Sequence, residues 1–247
     1  MKKSLKILFF CYFPLISFAQ LPNETKPEGQ LKREIYGGLT LSTNGWGVNF
    51  QFAKRKTNRY KVMYGFSIGN IRNEKEHKAF NSVFKDAKGY YYGKLNSLIA
   101  FRPFYGGKVL LFEKLRDKGV EIDFVWAAGL SLGLLKPVFL KVRKLDLNTS
   151  TFYNAEERYD PAIHHPENIY GRAPWFKGLG NASFLPGLFL KTGVYFDIST
   201  RRQVLWGIEL GSQIDIYFQK VPLMYQTKNQ YVFPSLYANI TIGKRFL

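Results

Sequence analysis

Residues 233–247 alternate strictly. Leu236, Ala238, Ile240, Ile242 and Phe246 share one parity, while Tyr237, Asn239, Thr241, Gly243 and Arg245 share the other. Successive side chains of a strand point to opposite faces, so this segment reads as a strand with one apolar and one polar face. The same period recurs upstream. Over 33–43, Ile35, Leu39 and Leu41 oppose Glu34, Tyr36 and Thr40. Over 46–55, Trp46, Val48, Phe50 and Phe52 oppose Asn49, Gln51 and Ala53. Over 60–70, Val62, Tyr64, Phe66 and Ile68 oppose Lys61, Met63 and Ser67. Further strands are predicted over 90–104, 119–134, 186–199 and 203–218. The fourth of the eight carries Lys94, Asn96 and Arg102 on its polar side, and the fifth bends at Pro137 and continues through 138–145.

Turn chemistry separates these runs. Asn44-Gly45 suits a tight hairpin, because both residues tolerate positive φ. Gly106-Gly107 and Asp117-Lys-Gly119 imply a long inner connection over 105–118. Segments 71–89, 146–184 and 219–230 become loops at the opposite end, with 146–184 long and irregular. The fold class is therefore all-β: an eight-stranded antiparallel transmembrane β-barrel with one long extracellular loop, covering 33–247, with both termini on the periplasmic side.

A barrel in water would alternate too, with its apolar face inside. Large rings on the apolar parity near strand ends (Trp46, Tyr91, Trp126, Trp206, Phe246) favour a bilayer, since amphipathic rings settle at its interface. The polar faces carry Lys94, Arg102, Glu121, Asp123, Lys191, Asp197, Glu209, Asp215 and Arg245. Eight strands leave room only for side chains. These charges should therefore pair across the bore as a plug, which argues against a channel.

The N-terminus fits export. Lys2, Lys3 and Lys6 precede the apolar run Ile7–Phe18, and Ser17-Phe-Ala19 offers a small-x-small cleavage site. Residues 1–19 are expected to be a signal peptide and 20–32 a flexible periplasmic leader. Cleavage there would remove Cys11, the one cysteine, and with it any disulfide or thiolate chemistry. Composition then adds charge. Without the three leader lysines, 33 Lys and Arg face 18 Asp and Glu, a net +15. For an exported chain the matching anions are outer-membrane lipid, lipopolysaccharide or acidic partner proteins. No helix-turn-helix, zinc spacing or aromatic RNA signature points to nucleic acid.

Chemistry is sparse. Asp160, His164, His165 and Glu167 are potential ligands in the long loop, but adjacent histidines seldom reach one ion, and local packing of His164 explains it as well. His77 and Ser82 share loop 71–89 without a motif fixing base against nucleophile. No metal, cofactor or catalytic residue is assigned. The richest loop segment is Asn168-Ile-Tyr-Gly-Arg-Ala-Pro-Trp-Phe-Lys-Gly-Leu-Gly180. Its Tyr170, Arg172, Trp175 and Phe176 are residue types enriched at binding hot spots. The competing reading makes Tyr170, Trp175 and Phe176 a small loop core over the barrel mouth.

The ending Gly243-x-x-Phe246 resembles the C-terminal strand of bacterial outer-membrane barrels. Thr43-Asn-Gly-Trp-Gly47, Tyr92-Gly-Lys-Leu-Asn-Ser97, Gly119-Val-Glu-Ile122, Leu135-Lys-Pro-Val138, Asn168-Ile-Tyr-Gly-Arg-Ala-Pro174 and Lys177-Gly-Leu179 resemble a family of outer-membrane barrel proteins from Bacteroidota. The resemblance covers most of the chain beyond residue 19 and implies fold and location, with no biochemical activity attached. That family carries a His-Pro-Lys-Glu stretch after strand three; Arg72-Asn-Glu-Lys-Glu76 stands there, so no role of that histidine transfers. The function expected is non-enzymatic: a structural or accessory subunit of an envelope assembly or secretion complex in the outer membrane of a Gram-negative bacterium, partnered by another envelope protein. The alternative is an enzyme that modifies lipid A or another lipid.

Overall fold

The computed structural model describes residues 32–81, 88–114, 119–146, 151–201 and 203–246. The expected signal peptide and all of the leader except Lys32 lie outside that range. Lys32 already belongs to the barrel: its N–H donates to the Phe246 carbonyl and its carbonyl accepts from Arg55.

Thirteen strands run in chain order: β1 (Arg33–Ser42), β2 (Gly45–Arg55), β3 (Tyr60–Ile71), β4 (Lys78–Ala79), β5 (Tyr90–Tyr91), β6 (Asn96–Phe112), β7 (Glu121–Pro137), β8 (Phe139–Asp146), β9 (Thr151–Arg158), β10 (Ile169–Arg172), β11 (Ser183–Asp197), β12 (Val204–Val221) and β13 (Gln230–Phe246). Eight of them close into a barrel in the order β1-β13-β12-β11-β7-β6-β3-β2. The first and last strands pair antiparallel from Arg33↔Phe246 to Ser42↔Tyr237, which removes both sheet edges. Gly243 sits opposite Tyr36, and a Cβ there would fall 2.2 Å from the Ile35 carbonyl. The glycine of the terminal motif is thus a seat for the neighbouring tyrosine.

Parity follows the alternation. Leu41, Val48, Phe66, Phe101, Leu130, Leu190, Leu210 and Ile240 are exposed on the outer wall, whereas Gln51, Lys61, Asp123, Ser131, Glu209, Asp215 and Thr241 are buried inside. An apolar exterior around a charged interior is the polarity of a bilayer-spanning outer-membrane barrel.

Three expectations need correction. The inner connection over 105–118 does not exist as such: β6 continues to Phe112, and only 113–120 separates it from β7. Gly106 and Gly107 are strand positions, where a Cβ would meet the Trp126 carbonyl at 2.1 Å and the Tyr60 hydroxyl at 2.5 Å. Close packing, not a turn, requires them. The predicted strand start near residue 90 belongs instead to β5, which pairs with β4 outside the barrel. Tyr91 is therefore absent from the wall, and Lys94 sits at the mouth with its Nζ 2.5 Å from Glu76 Oε2. Finally, 138–145 is no extension of β7. It becomes β8 in a separate three-stranded sheet ordered β10-β8-β9, so the barrel count of eight stands and loop 146–184 is largely ordered.

The bore is filled. At the periplasmic end Lys61 Nζ lies 3.0 Å from Glu34, 3.1 Å from Glu121 and 3.9 Å from Asp123. Arg245 bridges Glu34 and Asp197, and Lys114 also reaches Asp197. At mid-height Lys108 Nζ sits 4.4 and 3.5 Å from the Tyr36 and Tyr195 ring centres, and Lys191 pairs with Glu209 at 2.8 Å. Nearer the outside, Arg102 grips Asp215 with two bonds of 2.7 and 2.9 Å, and Ser131 donates a third to Asp215 at 2.7 Å. Phe104, Phe189 and Val125 complete the fill. A cavity of about 20 Å³ beside Arg102, Lys191 and Tyr237 has room for about one water.

Candidate functional site on the extracellular platform

β8 and β9 form a hairpin above the mouth, with Phe139↔Arg158 through Asp146↔Thr151 opposite one another. β10 adds to the other side of β8. Alternation in β8 sends Leu140 and Val142 to one face, where they are buried with Tyr90, Tyr159 and Ile169. This is a second core, built wholly from extracellular chain. Val138 N–H donates to the Leu95 carbonyl, and Tyr159 N–H to the Val138 carbonyl, which fasten the sheet to the mouth. Asn81 Nδ2 donates to the Pro166 and Ile169 carbonyls at 3.1 and 2.9 Å and joins the β4–β5 side. The long loop is thus a platform with its own packing.

His164 belongs to that packing. Its Nδ1 accepts the Asp160 N–H at 2.9 Å, its ring stacks on Tyr159, and its Nε2 lies 3.4 Å from Glu157 Oε2. His165 and Glu167 are exposed, so the four potential ligands do not converge. Among the described residues no three acidic, His or Cys side chains are placed to share an ion. Burial, together with the Tyr92 phenol beside it, pushes the Tyr159 hydroxyl up to about 12. The hydrogen bond from Lys144 holds Glu157 below the usual glutamate range. His77 is exposed in an outer recess of about 550 Å³ that it shares with Trp46, Arg72, Glu74 and Lys78. Ser82 lies outside the described residues, so the pair cannot be placed together.

The four hot-spot candidates separate. Tyr170 is half-buried within β10 and Arg172 is exposed at its end. Trp175 and Phe176 are 55% and 75% exposed and pack on each other edge to face at 5.3 Å. The loop does pack on its own side chains, but through Leu140, Val142, Tyr159 and Ile169; Trp175 and Phe176 are left over. Two basic residues outside the four hot-spot candidates complete this corner. Lys136, at the end of β7, places Nζ 5.5 Å from the Trp175 ring centre, and Lys177 pairs with Glu156 at 3.2 Å. The signal that could have found Lys136 is its position one residue before Pro137, where the strand must leave the barrel.

No protein-family model matches the chain, and no curated protein sequence matches it. Among solved structures, the chain is similar to Ail, the attachment invasion locus protein of Yersinia pestis, at 11% identity and a TM-score of 0.40, over 88% of this chain and 99% of that one. It is also similar to the N-terminal β-barrel domain of Pseudomonas aeruginosa OprF, at 9% identity and a TM-score of 0.35, over 88% and 98%. Neisserial surface protein A matches at 10% identity and a TM-score of 0.34, over 87% and 94%.

Proposed function

We propose that the protein is a non-enzymatic outer-membrane anchor whose extracellular platform docks another envelope protein, as a structural or accessory subunit of an assembly or secretion complex. On this reading residues 1–19 are a cleaved export signal, and the motif resemblance supports a host among the Bacteroidota. The single observation carrying the proposal is the exposed Trp175–Phe176 pair, held in the turn that follows β10 beside a sheet whose core it does not serve. Large rings held out on a rigid support lose little entropy on binding, and Trp dominates measured hot spots. The Lys136 ammonium lies 5.5 Å from the Trp175 ring centre, and exposed Arg172 ends the strand just before the pair; both add polar groups to the docking element.

The test is Trp175→Ala with Phe176→Ala, compared with wild type by cross-linking in native membranes. The double variant should fold, because neither ring is buried. Loss of one specific cross-linked envelope protein, with unchanged heat-modifiable mobility, is the expected outcome. If the same protein is captured at the same yield, docking does not use this face and the proposal fails.

A further inference from the structure

At the periplasmic end, the outward faces of β2, β1 and β13 gather three cations. Arg33 on β1 lies directly opposite Lys54 on β2, and Lys244 on β13 lies opposite Ile35, one outward position further along β1. All three are exposed. Directly opposed side chains on one face hold their Cβ atoms about 4.5–5.5 Å apart, and like charges so placed are destabilising. The wall offers no relief. The outward positions of β1 are Arg33, Ile35, Gly37, Leu39 and Leu41; neither β2 nor β13 contains an acidic residue. Among the described residues no carboxylate lies within ion-pair distance of Arg33, Lys54 or Lys244. Exposed Lys32 and Lys56 add further positive charge at the rim.

The contrast with Lys61 is direct. Lys61 is separated from Lys54 only by the β2–β3 turn, yet it faces inward and meets three carboxylates. Inside the bore the protein supplies the counter-charge; outside it leaves a demand for an external anion. What borders the patch narrows the choice. The next outward positions toward the membrane are Ile35, Phe52 and Ile242, with Ile35 opposite Phe52. An anion that satisfies both halves carries its charge on a head and an apolar tail beside it. Arg33 offers a planar fork suited to phosphate oxygens, and the lysines act as point charges.

We propose that Arg33, Lys54 and Lys244 form a binding site for the phosphate of an anionic phospholipid in the periplasmic leaflet, with its acyl chains lying along Ile35, Phe52 and Ile242. The site is independent of the platform and of whatever docks there. Basic clusters beside a membrane attract anionic lipid in this manner, with about a fivefold factor for each Lys or Arg.

The full-length protein, folded in a non-ionic detergent, is titrated with phosphatidylglycerol or phosphatidylcholine, and retained lipid is read by native mass spectrometry. Wild type should retain phosphatidylglycerol in preference. Arg33→Gln with Lys54→Gln and Lys244→Gln should lower that preference roughly a hundredfold, from three such factors. Lys75→Gln with Lys88→Gln and Lys228→Gln, at the other end, should leave it unchanged. Lys54→Gln alone, expected to lower the preference about fivefold, keeps the test valid if the triple variant misfolds. Equal retention of the two lipids by wild type, or equal phosphatidylglycerol retention by wild type and the triple variant (or by wild type and Lys54→Gln, should the triple variant misfold), overturns the proposal. Full displacement by excess inorganic phosphate also overturns it, because the site would then take a free anion rather than a lipid.

Discussion

The two ends of this barrel settle their charges and their chain in different ways. At the periplasmic end the strands stop in the connections 56–59, 113–120 and 198–203, and one network of Glu34, Lys61, Glu121, Asp123, Asp197, Lys114 and Arg245 closes the bore. At the extracellular end the chain does not stop. It builds a three-stranded sheet with its own apolar core, and its ion pairs (Lys141–Glu156, Lys144–Glu157, Lys177–Glu156) are half-exposed. Water screens exposed pairs and leaves them worth little, whereas a buried charge deprived of its partner is strongly destabilising. The lower end therefore depends on electrostatics inside the bore, and the upper end on hydrophobic packing above it. Only the upper end is built to be altered without losing the barrel.

The sharpest test of this contrast is Lys61→Met. It takes from Glu121 and Asp123 the cation that pairs with each, leaves Glu34 with Arg245 alone, and should cost about 3–5 kcal/mol of barrel stability. Urea titration followed by electrophoretic mobility would measure it; a loss under 1 kcal/mol would mean that water already solvates that network.

Leu140→Ala should cost about 2–5 kcal/mol, but within the platform alone. Amide exchange should accelerate across β8, β9 and β10 while the barrel strands stay protected. Equal acceleration in β12 and β13 would show that the two ends form one cooperative unit.

The smallest effect concerns acid. Glu157 is held below the usual glutamate range chiefly by its hydrogen bond from Lys144, and His164 faces its other oxygen. A depressed carboxylate stabilises the fold above its unfolded pKa, and that stability is lost as pH falls through the folded value. Exchange in the β8–β9 hairpin should therefore quicken modestly below the glutamate range, and Glu157→Gln should remove the dependence.

Much of this was legible from the chain. Glu34, Lys61, Asp123 and Arg245 declared themselves inward by parity, and Leu41, Val48 and Ile240 outward. The bore's apolar fill was harder to read. Phe104, Phe189 and Val125 stand at inward positions and are buried there, because a narrow bore needs bulk as well as charge. Gly106 and Gly107 misled for a related reason. A glycine that makes room for a neighbouring ring carries the same letter as one that makes a turn. The platform was hidden because β8 follows β7 in phase, so the bend at Pro137 read as one strand continuing and not as a change of sheet. Trp175 and Phe176 were found as residues, but which aromatic rings would be spent on the loop's core depended on Leu140, Tyr159 and Ile169 filling it first.

Alternation, and with it the inward or outward fate of nearly every wall residue, was determined by the sequence alone. Period two is a local property that any strand must obey once one face meets lipid and the other does not. The tertiary structure decided where strands end, which sheet they join and which charges meet. Arg102 and Asp215 are 113 residues apart, and Arg245 meets Glu34, 211 residues away, only because β1 and β13 pair in one register. Such contacts follow from closure of the barrel, which no single window of the chain contains.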